Sequence, residues 1–159
     1  MQATIQDVRA RSRWLKHVAT AIFATLLLAL VFEAAMAARA PSPDSALRFL
    51  LPYRLAMLFY LSAIWTMRRA FGQIGDGEQF DSVLPNLLLR LGLALSGGAV
   101  VSVFLSPWLL RLFDGLGRGS FAAFDPPAIT IGLVGLMLVI LSKLFARAVA
   151  VRRELDEFL

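Results

Sequence analysis

Long apolar runs alternate with short polar segments along this chain, and four of the runs have the length of a membrane crossing, at residues 17–38, 49–67, 86–106 and 128–146. About 20 apolar residues in a helix cover the hydrocarbon thickness of a bilayer, so each run predicts one transmembrane helix. The expected fold is all-α, a four-helix bundle forming a single polytopic domain over residues 1–159. The first run follows a basic amphipathic lead with Arg9, Arg11, Arg13 and Lys16. Small residues from Ala35 to Ala40 resemble a signal cleavage site, but the run exceeds the 7–15 residues of a typical signal core, so an uncleaved first span is expected.

Turn chemistry separates the runs. Pro41 and Pro43 mark the first connection, and Gly72, Gly75 and Gly77 mark the second. The third is richer: Ser106 is placed to cap a short helix that has Pro107 at its first position and Gly115 at its end. With Trp108, Leu109, Leu112 and Phe113 on one face, that segment predicts a short interfacial helix after the third span. The competing reading extends the third span past a proline kink.

Charge orients the array. Arg9, Arg11, Arg13, Lys16, Arg68, Arg69, Lys143, Arg147, Arg152 and Arg153 fall on one side, against Arg39, Arg48, Arg111 and Arg118 on the other. The positive-inside rule then places both termini in the cytoplasm. Composition agrees, since 58% of the 159 residues are hydrophobic and mean hydropathy is +0.72, more apolar surface than one buried core hides. The net charge of +5 flanks the apolar runs instead of clustering on one surface with base-reading side chains, so anionic lipid head groups are the expected partner and direct nucleic-acid binding is not.

Candidate chemistry is sparse. Glu33 lies five positions before the outer end of the first run and Arg54 five positions after the outer start of the second. Both therefore sit about 8 Å below the surface at 1.5 Å per residue, where a lone charge is costly, which predicts an intramembrane ion pair between them. The alternative has Arg54 snorkelling to head groups and Glu33 facing a watery dent. Ser96, Gly97, Gly98 and Ser102 give the third run a small-residue face, and Gly132 with Gly135 do likewise in the fourth. The single histidine, His17, has no second ligand in view, and Asp76, Glu78 and Asp81 do not fill the positions of a calcium loop. The glycines at 115, 117 and 119 lack the Lys-Ser/Thr of a phosphate loop. No catalytic, cofactor-binding or metal residue is therefore assigned, and an enzyme is not expected.

Gly77, Glu78, Gln79, Phe80, Asp81 and Ser82, followed by Leu87, Leu88, Leu89, Arg90, Leu91 and Gly92, form an acidic, phenylalanine-bearing loop running into a leucine-arginine-glycine helix start. Leu144, Phe145, Ala146 and Arg147 lead to the closing Leu155, Asp156, Glu157, Phe158 and Leu159. Over about residues 15–159 this resembles the bacterial membrane family catalogued as domain of unknown function 2975, with Gln79 standing where the family pattern has proline. The resemblance implies four spans in the inner membrane, no established reaction, and partnership with small helix-turn-helix transcription regulators, hence sequestration of a regulator at the membrane. The residues expected to form the cytoplasmic docking face are Phe80, Asp81, Arg90, Arg152, Arg153, Glu157 and Phe158. An ordinary reading makes Phe80 a staple of the third helix with Asp81 or Ser82 as its cap. Two other classes stay open: a proton-coupled homodimeric exporter with Glu33 as carrier, and an accessory subunit of a larger membrane complex.

Overall fold

A computed structural model describes residues 2–39, 43–76, 78, 80–113 and 122–157. Its elements are α1 (Gln2–Ala38), α2 (Pro43–Gly75), α3 (Phe80–Val100), a π-helical turn (Val101–Leu105), α4 (Ser106–Phe113) and α5 (Pro126–Glu157). There is no strand among the described residues. Three helical stretches are long and apolar enough to cross a membrane, Trp14–Ala38, Val83–Leu112 and Pro126–Arg152, which points to a membrane protein.

The helices outrun the apolar segments. The stretch before His17 continues as helix because Arg, Lys and Gln are good helix formers and neither Gly nor Pro interrupts them. α2 likewise runs through Arg68 and Arg69 to Gly75, where Asp76 N–H donates to the Gly72 carbonyl at 2.9 Å and Glu78 N–H to that of Gln73 at 3.1 Å. These bonds close the last turn. α3 opens at Phe80, so Asp81 and Ser82 lie inside its first turn and are not its caps. α5 opens earlier than its apolar run because Asp125 caps it: its Oδ1 accepts from Ala128 N–H at 3.3 Å, and Pro126 and Pro127 occupy the first turn.

Around Pro107 the sequence expectation is corrected. Ser106 is helical, at φ −62° and ψ −49°, and α4 continues α3 through a π turn instead of standing apart as an interfacial helix. Pro107 has no N–H, which leaves the Val103 carbonyl without its usual partner four residues on. Ala123 N–H takes that carbonyl at 2.9 Å. The turn widens so that Ser106 N–H reaches Val101 O, and the Ser106 hydroxyl donates to the same oxygen at 3.0 Å and to the Pro52 carbonyl of α2 at 2.6 Å. Gly115 lies outside the described residues.

Packing runs in sequence: α1 on α2, α2 on α3, and α3 on α5, each pair antiparallel. α1 and α5 make no close backbone approach among the described residues, so the helices form an open row instead of a closed bundle. The buried hydrophobic residues described are mostly alanine, among them Ala56, Ala63, Ala70 and Ala99, while Leu28, Phe32, Leu133, Met137 and Ile140 are 61–69% exposed. Small residues inside and large ones outside reverse the pattern of a water-soluble chain, as helix pairing in lipid requires.

Candidate functional site

Alternating helix directions bring the start of α1, the end of α2, the start of α3 and the end of α5 to one end of the row. There the side chains of Lys16, Trp65, Arg68, Arg69, Asp76, Asn86 and Arg90 surround an open recess of about 510 Å³. Each cation has a local support. Arg68 Nε donates to Thr20 Oγ1 at 2.9 Å, and its guanidinium stands 4.5 Å from the Trp65 ring centre. Arg69 lies 5.7 Å from the same ring. Arg90 Nε donates to Asn86 Oδ1 at 3.1 Å. Lys16 lies over Gly72, where an added Cβ would meet its Nζ at 3.5 Å. The Trp65 ring packs in turn against Phe23 of α1, with centroids 5.2 Å apart.

Thr20 and Asn86 are neutral, so both arginines are oriented without being neutralised. Asp76 is the one carboxylate among the described lining residues, against four cations. The recess is therefore suited to an anion. Among the described residues no three potential metal ligands cluster, and His17 stands exposed on α1.

Of the residues singled out in the sequence, Arg90 lines this recess. Phe80 and Asp81 begin α3 at the same end, and Arg152, Arg153 and Glu157 lie on the last turns of α5. The side chains of Phe80, Asp81, Arg153 and Glu157, and all of Phe158, lie outside the described residues. Trp65, Thr20 and Asn86 were not anticipated, although Trp65 stands three and four positions before two arginines, the spacing that puts all three on one helix face.

The structure also brings Glu33 and Arg54 together, at the opposite end of the α1–α2 seam: Arg54 Nη2 and Glu33 Oε2 form an ion pair with side chains 38% and 42% exposed. Arg54 Nη1 points to the Met57 sulfur at 3.7 Å.

A family model described as Protein of unknown function (DUF2975) matches residues 48–158. The match starts near the beginning of α2, so α1 precedes it, a shorter extent than the resemblance over about residues 15–159. No curated protein and no solved structure matches the chain.

Proposed function

The chain belongs to the DUF2975 family, and from that premise we propose a non-enzymatic integral membrane protein that crosses the bilayer four times and holds a partner protein at its basic, cytoplasmic end. The fourth crossing is α2. It lies between α1 and α3, antiparallel to both, and three of its four arginines lie at the two edges of the row: Arg54 beside Glu33, and Arg68 and Arg69 beside Lys16 and Arg90. The stretch between Arg54 and Arg68 covers about 21 Å at 1.5 Å per residue, a crossing that long basic side chains complete by reaching to the surface. Both termini then share one compartment, which the excess of Lys and Arg supports as the cytoplasm, and the family resemblance supports a bacterial inner membrane.

The observation that carries the docking reading is the convergence of four helix ends with their charge at one end of the row. Partner binding uses Phe80, Asp81, Arg90 and the tail with Arg152, Arg153, Glu157 and Phe158, and the partner that the family resemblance implies is a small helix-turn-helix transcription regulator. Affinity purification of the full chain from native membranes tests this, beside Phe80→Ala and a chain ending at Val151. A DNA-binding protein retained by the parent chain, lost from both variants, and found in the soluble fraction of cells lacking the chain is expected. The same set of co-purifying proteins with all three chains would overturn the reading.

The ion pair favours a structural role for Glu33 over the carrier role in an exporter, because a guanidinium in contact already occupies the carboxylate. Proton-linked efflux from vesicles that disappears in Glu33→Gln would reverse that preference.

A further inference from the structure

We infer that the recess between α1, α2 and α3 binds a phosphate group, carried by the head group of an anionic phospholipid. Four cations from three helices converge there, Lys16, Arg68, Arg69 and Arg90. Two of the arginines are held at Nε by neutral oxygens, of Thr20 and Asn86, so their positive charge is presented and not cancelled. Arginine forks and a lysine ammonium are the donors that phosphate oxygens take, and like charges held this close favour an anion among them. The recess, at about 510 Å³, lies within the size range of small-ligand sites.

Depth selects the source of the phosphate. The apolar runs of α1 and α3 begin at residues 17 and 86, so Lys16 sits at the end of the first and Arg90 about 6 Å inside the second at 1.5 Å per residue. That is the level of head groups and the first acyl carbons, and Ala70, Val83 and Leu87 supply apolar wall beside the cations. A lipid phosphate can enter from the side with its chains along the outward-facing apolar side chains. A zwitterionic head group brings its own cation into a ring of cations and is disfavoured; an anionic head group is not. This ligand is distinct from the protein partner proposed above and needs neither Phe80 nor the tail.

Native mass spectrometry of the full chain released from bilayers of equal phosphatidylcholine and phosphatidylglycerol reads the site directly. Retention of phosphatidylglycerol over phosphatidylcholine is expected. Arg69→Gln with Arg90→Gln should lower that retention about thirtyfold, from about fivefold per cation removed near a membrane surface. Lys143→Gln with Arg147→Gln removes the same charge from exposed positions of α5 and should leave retention unchanged. Equal losses in the two pairs would show attraction by general surface charge and overturn the site, as would retention of both lipids alike by the parent chain. Excess inorganic phosphate that displaces the lipid would overturn the lipid source and assign the recess to a soluble phosphate. Lys16→Gln, read with helical content by circular dichroism, keeps the test decisive if the arginine pair fails to fold: a folded Lys16→Gln with undiminished lipid retention would also sink the proposal.

Discussion

The seam between α1 and α2 and the seam between α3 and α5 join helices by opposite means. Along the first, long side chains meet: Phe23 on Trp65, Thr20 with Arg68, Glu33 with Arg54. Along the second, side chains are nearly absent: Gly92 faces Gly135 and Val139, Ser96 donates to the Gly132 carbonyl at 3.2 Å, and Ala99 touches Gly132. Neither seam gains from expelling water if lipid is the solvent, so one relies on polar and ring contacts and the other on close backbone approach. A seam of long side chains can readjust around a substitution, whereas a seam of backbone cannot.

The sharpest way to break that contrast is volume. A Cβ at Gly92 would stand 2.5 Å from the Gly135 carbonyl and 2.9 Å from the Val139 nitrogen, atoms that move only if the helices separate. Gly92→Val should therefore lose about 3 kcal/mol, the upper part of the overpacking range, read as a fall in the thermal midpoint in detergent. Charge comes next. Glu33→Arg or Arg54→Glu alone should cost about 2 kcal/mol, since each leaves like charges facing one another at the apolar seam, and the double reversal should recover most of the lost expression; no recovery would remove the pairing. Ser106→Ala, which deletes the hydroxyl joining the start of α4 to the Pro52 carbonyl of α2, should cost about 1 kcal/mol in the same melt. The smallest effect belongs to Thr20→Val at about 0.6 kcal/mol, a typical value for one hydrogen bond between membrane helices. If Thr20→Val destabilises as much as Gly92→Val, the contrast between the seams fails.

Much of the architecture was legible because hydropathy and helix length share one cause, the need to satisfy the backbone internally where water is scarce. Glu33 and Arg54 could be matched by counting positions from the ends of their runs. The small-residue face of α3 could be seen, but not its division. Ser96 turns to α5, while the adjacent Gly97 and Gly98 turn to Phe59 and Tyr60 of α2. A step of 100° per residue sends neighbours to different partners, and sequence alone does not say which helix stands where. The π turn was hidden because its cause, the unpaired Val103 carbonyl, is met by Ala123, twenty positions away. The recess was hidden for a similar reason: Lys16, Arg68 and Arg90 each have an ordinary explanation as flanking charge, and only their meeting across three helices distinguishes them.

The order of the two seams along the chain also sets a timetable. During synthesis α1 and α2 emerge as neighbours and can complete their pairing before α3 has been made. α3 emerges with its Gly92 flank bare and must wait until Gly132 and Gly135 have been made. For that interval the newborn chain carries a glycine-lined groove with no mate, and whichever assistant, lipid or neighbouring chain shelters it governs how much finished protein the cell obtains.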